Sequence, residues 1–364
     1  MLEPPNQPKN TDVVLGGNAP PPLSGAVLGG IAGVKHRLKS QVAEHRVAAL
    51  DDALNYGDAG LELIIQALDD EAEQVRLFAC FAFSTKSELL ALLQKGVASW
   101  NKWRSHSVRL DYFDVVDLSG INLRGKNLRK INFRQCSLSG ADLRGADLRE
   151  AKLYRTNLSG ANLSGANLSG ANLNGAILKG AILKGVQLNR ANLSRTDLSE
   201  FNFCGAKLQR VNFTKANLSG MNFCKANLSK SKFIKANLQS AQFVEADASG
   251  VNFRGADLWG ANLSGLNLSQ INFFGANLSS ANFSEAILSA ANLFEAKLSG
   301  TNLSKANLSG ANLRQANLKS ANLDCANFNK ANIRGSNFWE VRMLRVILPN
   351  GKTYSSGKHI EWFS

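Results

Sequence analysis

Between Leu118 and Phe338 every fifth residue is apolar, in a single frame that never slips. The centres run Leu118, Leu123, Leu128, Phe133, Leu138 and onward to Ile333 and Phe338, forty-five of them in steps of five, with Ala248 the one small centre. Helices bury residues at a spacing near 3.6 and strands near 2, so a spacing of about five fits neither element running straight and requires a turn in every repeat. Five residues cannot bury an apolar side alone. They must stack on neighbours, which is the sequence signature of a solenoid. In a unit such as Ala161, Asn162, Leu163, Ser164, Gly165, the small and the large apolar residue point inward, and Asn, Ser and Gly supply outward turn chemistry.

The unit resembles A(D/N)LXX, the signature of the pentapeptide-repeat family, with near-perfect runs such as 156–175. The resemblance covers roughly 60% of the chain and is of cyanobacterial type. It implies a right-handed, quadrilateral parallel β-helix, one pentapeptide to a side and four to a coil. The repeats would then make about eleven coils, and ~4.8 Å between neighbouring strands gives a rod about 50 Å long.

At 364 residues the chain suits two domains, and the expected fold class is α+β, a small all-α N-terminal domain followed by the solenoid. Residues 1–24 contain Pro4, Pro5, Pro8, Pro20, Pro21 and Pro22 and read as a disordered or extended tail. Residues 25–105 read as helical, with apolar helical spacing over 38–56, 60–68, 71–83 and 86–95, Gly57 a stop and Asp58 a cap. The stretch Leu68, Asp69, Asp70, Glu71, then Val75, Arg76 and Ala79, is similar to a HEAT-type helical repeat. A linker or N-terminal cap is expected over 106–115, the β-helix over 116–340, and a cap hairpin and tail over 341–364. Asn350 and Gly351 suit the tight turn of that hairpin, between 345–349 and 352–354. An open β-helix end presents unpaired backbone, so the hairpin is expected to shield one end and the helical domain the other.

The formal net charge of +14 is unevenly placed. Residues 116–235 carry 20 basic and 6 acidic side chains, whereas 236–340 carry 7 of each. With about twenty residues per coil, positions differing by twenty stand in columns on the surface. Arg190, Arg210 and Lys230 form one column and Arg195, Lys215 and Lys235 another, flanking the side centred on Leu193, Phe213 and Phe233. Stacked like charge costs stability, so the strip is a candidate docking surface; the plainer alternative is solvated cations at tolerant outer positions.

A further column reads Ile234, Arg254, Phe274, Phe294, Arg314, Arg334. Phe274 and Phe294 are expected to be exposed and bracketed by Arg, with Trp259 facing out one corner away, a composition enriched in binding hot spots. The alternative is that Arg covers the rings. Ile177, Ile182 and Ile287 occupy the outward Asn/Asp position. Inside, Phe203, Phe223, Phe243 and Phe283 line one wall and Phe213, Phe233, Phe253 and Phe273 the opposite one, as core and not as a cofactor channel.

No catalytic set emerges. His36, His45, His106 and His359 fall outside the solenoid at spacings unlike metal or triad arrangements, and no cofactor is expected. Cys80, Cys136, Cys204, Cys224 and Cys325 are too scattered for a disulfide scaffold, which points to a reducing compartment. Cys204 and Cys224 should stack one coil apart, but parallel neighbours point the same way and suit a disulfide poorly. Glu3 and the early prolines stand where a secretory signal needs a basic start and an apolar run, and residues 23–34 are too few to span a bilayer. The expectation is a cytoplasmic, non-enzymatic scaffold or regulatory protein that binds a protein partner with an acidic surface. Nucleic acid or an anionic membrane on the basic strip comes second, and self-association through exposed aromatics or a solenoid end is a third option. Family members that bind DNA gyrase by resembling DNA present an acidic surface, and the basic first half argues against that role here.

Overall fold

The computed structural model describes residues 29–107 and 115–354, in two units, Met1–Asp114 and Val115–Ser364. The expected tail at 1–24, residues 108–114 of the expected linker and the stretch 355–364 lie outside the described residues.

The first unit is helical: α1 (Gly30–Arg37), α2 (Ala43–Ala53), α3 (Gly57–Ala67), α4 (Glu73–Phe81), α5 (Lys86–Gln94) and α6 (Val97–Ser107), with a 3₁₀ turn at Leu54–Tyr56. Two helices differ from expectation. Residues 38–42 form the α1–α2 connection and not a helix start, and α6 takes the first residues of the expected linker. Gly57 does break the chain, with φ 49°, but α3 begins on it, so Asp58 sits in the first turn and caps nothing. At α5 the sequence supplies a capping box: Thr85 accepts from the Glu88 amide, and the Glu88 carboxylate accepts from the Thr85 amide. Gly60 is required for packing, because a Cβ there would lie 1.8 Å from the Ala53 carbonyl oxygen. Helices α2 and α4 make the same contact thirty residues apart: Arg46 donates to the Ser40 carbonyl and Arg76 to the Asp70 carbonyl, both at 2.7 Å. Arg46 also forks onto the Asp70 carboxylate at 2.7 and 3.0 Å.

In the second unit each pentapeptide supplies one bridging residue and one turn. In most repeats the amide after the turn donates to the preceding centre, as Ala161 does to Leu158 at 3.0 Å, and the residue before it has positive φ, as a type II turn demands. The Asn or Asp side chain accepts the amide two residues on, as Asn162 does from Ser164 at 3.1 Å, which fixes the corner. Every parallel bridge joins residues twenty apart, from Asp117 with Ser137 to Asn327 with Ile347. The ladder therefore continues past 340, correcting the expected boundary, because Val341, Met343, Val346 and Leu348 keep the frame. The expected hairpin is present on its last repeat: Ile347 pairs antiparallel with Thr353, and the Leu348 amide donates to the Lys352 carbonyl at 2.8 Å.

The interior is filled by buried apolar side chains. Phe213, Phe233, Phe253 and Phe273 stack along one wall at 4.9 to 5.3 Å, and Phe223 and Phe243 stack on the other at 5.1 Å, with edge-on contacts between the walls. Where a hydroxyl enters the bore it is satisfied, as Thr156 Oγ1 is by the Phe133 carbonyl at 2.8 Å.

One opening interrupts the stack. Among the described residues the bridges of Ile177 with Asp197, Ile182 with Asn202 and Gln187 with Lys207 do not form, although Asn172, Asn192 and Asn212 remain in ladder. Bridges are thus absent over three successive repeats, while the coils stay joined at 171–175 and 191–195 and at the adjoining corner, where the Arg190 amide donates to the Gln209 carbonyl at 2.9 Å and the Gln209 amide to Asn189 Oδ1 at 3.3 Å. Beyond that hinge, Leu183, Val186, Phe201 and Ala206 are half-buried, while every other inward position between 128 and 331 is buried. Overpacking accounts for the opening. Phe201 takes the small inward position that Ala181 fills one coil below, and its ring lies 6.4 Å from Phe203 in its own repeat. Two rings in one repeat exceed the space that Ala and Leu fill, so the backbone moves. A lesser gap, the bridge of Asp247 with Asn267, lies beside Ala248.

Candidate functional site

From 120 to 345 the last residue of every repeat but Glu200 is held at positive φ on an outer corner, and that geometry presents the basic columns. Arg190 (φ 62°), Arg210 (59°) and Lys230 (60°) form one, and Arg195 (59°), Lys215 (59°) and Lys235 (56°) the next. All six are exposed, and none is in an ion pair among the described residues. The side between them carries Asn192, Asn212 and Lys232 outward, joined in register by their bridges. Lys232 and Lys207 were not among the residues singled out in the sequence; both occupy the outward Asn/Asp slot and are exposed, so the same twenty-residue columns, read at that slot, identify them.

The first coils hold their cations differently. Arg144 binds Asp142 at 2.6 Å, and Arg129 binds Glu150 at 2.7 Å. The Arg144 guanidinium holds the Asp142 carboxyl down to about 2, ahead of a smaller opposing effect of burial. A lowered folded value means that this pair adds stability above the ordinary carboxylate range and loses it as pH falls through the folded value. A carboxyl NMR titration of Asp142 is expected to show its midpoint at about 2 and a return toward the ordinary range in Arg144→Gln; an unmoved midpoint would refute the pairing. Basic side chains at 124–155 are thus partly neutralised where they stand; at 190–235 Lys225 pairs with Glu245 at 3.7 Å, and the six column cations are in no ion pair among the described residues.

The aromatic column departs from expectation. Phe274 and Phe294 are half-buried, not exposed: their rings stack at 5.6 Å, with Arg254 lying 5.3 Å from Phe274 and Arg314 lying 5.6 Å from Phe294. The result is one four-layer stack, Arg, Phe, Phe, Arg, in which the guanidinium planes cover the ring faces. Trp259 is exposed as expected, at 48%. Its column continues to Trp339, which is 60% exposed, with the Lys319 ammonium 4.2 Å from its ring. Sequence reasoning missed Trp339 although the two numbers differ by a multiple of twenty. Ile177, Ile182 and Ile287 are exposed at the outward slot.

Cys204 and Cys224 are free thiols one coil apart. Burial first, and then Cys204 beside it, push the Cys224 thiol up, away from the reactive thiolate. Among the described residues no cluster of His, Cys, Asp and Glu could hold a metal ion, and no single helix is long and apolar enough to cross a membrane. The described surface presents a basic side, a capped aromatic stack, and the backbone edges of the opening.

Pentapeptide repeats, in 8 copies, match residues 117–155, 146–185, 187–223, 271–310 and 301–339, and a pentapeptide repeat region matches 206–283. Together they leave residue 186 as the sole gap between 117 and 339. Among solved structures the chain is similar to HetL, a pentapeptide repeat protein involved in heterocyst differentiation regulation from the cyanobacterium Nostoc sp. strain PCC 7120, at 30% identity over 69% of this chain and 98% of that one, TM-score 0.25. It is similar to QnrB1, a plasmid-mediated fluoroquinolone resistance protein, at 17% identity over 42% of this chain and 89% of that one, TM-score 0.24. It is similar also to Rfr23, a pentapeptide repeat protein from the cyanobacterium Cyanothece 51142, at 24% identity over 42% and 95%, TM-score 0.15. No curated protein matches the chain.

Proposed function

The chain belongs to the pentapeptide-repeat family, and from that premise we propose that it is a non-enzymatic scaffold or regulatory protein whose solenoid binds a protein partner with an acidic surface. The solenoid is read as a right-handed, four-sided rod, of about twelve coils once 341–350 are included and roughly 55 Å long at ~4.8 Å per coil. The observation that carries the reading is the side bounded by Arg190, Arg210, Lys230, Arg195, Lys215 and Lys235, where exposed cations stack coil on coil without acidic partners. Such an arrangement costs folding energy and steers an oppositely charged surface. The Arg254, Phe274, Phe294, Arg314 stack and Trp259 supply the apolar part of the contact. A mimic of a polyanion would need the opposite charge on this side. A cytoplasmic location is proposed from the scattered cysteines alone.

The test is partner capture from native cells, identified by mass spectrometry, with the full chain and with a variant carrying Arg195→Gln, Lys215→Gln, Lys235→Gln, Phe274→Ser and Phe294→Ser. Capture is expected to be lost while the β signal in circular dichroism is retained, and undiminished capture would sink the proposal. The second reading, phosphate recognition, rests on the same cations and predicts binding of DNA, RNA or anionic vesicles that falls steeply with salt. No binding to any of them at low salt removes it.

A further inference from the structure

The opening between 176–190 and 196–210 is a site of its own. On its lower lip the amides of Leu178, Leu183 and Leu188 lack the inter-coil acceptors that their equivalents have in other coils, and on its upper lip the amides of Asp197, Asn202 and Lys207 lack theirs. Free strand edges of this kind bind extended chain, because main-chain groups left unpaired gain partners while alternate side chains enter pockets. Apolar side chains are accessible there: Leu183, Val186, Phe201 and Ala206 are the half-buried inward residues of these repeats.

The charge around the mouth selects the occupant. The lower lip carries Lys179, Lys184 and Arg190 and no carboxylate, and the upper lip adds Lys207 and Arg210; Asp197 and Glu200 are its acidic residues. The described lysines here are exposed and in no ion pair. One contact already shows which chemistry the edge accepts: the Gly180 amide, deprived of its neighbour's carbonyl, donates to the Glu200 carboxylate at 3.4 Å. A carboxylate thus replaces the missing coil at one corner.

We propose that this opening docks an extended acidic segment of a partner protein. The segment's backbone pairs with the free edge at 181–185, one apolar side chain enters between Leu183 and Phe201, and carboxylates meet Lys179, Lys184 and Lys207. The inference rests on the reading of the solenoid as a protein-binding surface, and it places the contact at 181–185, not on the basic columns.

The test uses the full chain and an acetylated, amidated octapeptide alternating Glu and Val, with its Lys and Val counterpart as control, read by amide hydrogen exchange. The acidic peptide is expected to slow exchange in 176–190 and 196–210 and not in 212–235. Lys184→Glu with Lys207→Glu is expected to weaken that binding about tenfold. Phe201→Ala removes the wedge, so it is expected to slow exchange of the same amides without peptide and to abolish the peptide's effect. Unchanged exchange with the acidic peptide, equal protection by the Lys peptide, or protection of these amides by a DNA oligonucleotide or phosphatidylglycerol vesicles instead would each overturn the proposal. If the peptide fails while Arg195→Gln, Lys215→Gln and Lys235→Gln still abolish partner capture, the docking slot falls and the scaffold reading stands. If the peptide protects but that variant captures as well as the parent, the columns lose their role and the slot stands.

Discussion

Phe233→Ala is expected to destabilise the solenoid by about 3–5 kcal/mol, the range for removing a fully enclosed ring that its surroundings cannot refill. The ring is wholly buried and lies at 4.9 Å from Phe213 and 5.3 Å from Phe253, with Phe223 edge-on at 5.8 Å. Collapse into the space is blocked on both sides, because the coils above and below are held at strand spacing by their own ladders. The neighbours would also lose ring contacts worth about 0.5–1.5 kcal/mol each. Urea unfolding followed by the β signal measures it, with Phe274→Ala as the comparison. That ring is half-buried on a corner, so its loss should cost far less. A loss for Phe233→Ala below about 1 kcal/mol, the size of an ordinary surface change, would show that the bore is not close-packed.

Trp103→Ala is expected to be the most damaging single truncation in the helical unit. Trp103 is fully buried on α6, its ring 5.2 Å from Trp100 and 6.2 Å from Phe83, and its Nε1 donates to the Cys80 carbonyl at 3.1 Å. Truncation leaves a cavity worth about 3–5 kcal/mol and removes one of two donors to the Cys80 carbonyl, which keeps the Phe83 amide at 3.4 Å. Against a domain stability of about 5–15 kcal/mol, the unit should lose helix content cooperatively well below the parent's melting temperature. Far-UV circular dichroism reads this directly. Retention of the parent's helical melting would mean that α6 is dispensable to the unit.

The legible part of this chain was its period. From Leu118 to Phe338 the spacing alone requires a turn per repeat, and the bridges of residues twenty apart follow the columns laid out from it. The basic columns were legible for the same reason, since a corner residue at positive φ has nowhere to point but outward. What was not legible depended on packing between columns. Phe274 and Phe294 were read as exposed because the column gives direction but not contact; the rings lie against each other and under Arg254 and Arg314. Phe201 was visible as the one Phe in a small inward position, yet its effect on three neighbouring bridges follows from volume, which a periodic pattern does not measure. The end of the ladder was placed at 340 because the small and polar residues depart from the motif there, although the frame of Met343 and Leu348 continues.

The hinge side has a mechanical consequence. At 171–175 and 191–195 the coils are held by the Leu173 amide on the Asn192 carbonyl at 2.8 Å, the Asn192 amide on the Ala171 carbonyl at 2.9 Å, and side-chain bonds from Asn174 to Ser194 and from Asn192 to Asn172. A stack in which each coil touches only its neighbours is no stiffer than its weakest joint. With the ladder absent over 176–188 and 196–207, bending strain concentrates on the stretch that stays bonded, which includes the Arg190 amide on the Gln209 carbonyl at 2.9 Å. The solenoid is therefore two stiff segments on a leaf spring, and a load on either segment is felt first at the mouth lined by Leu183 and Phe201.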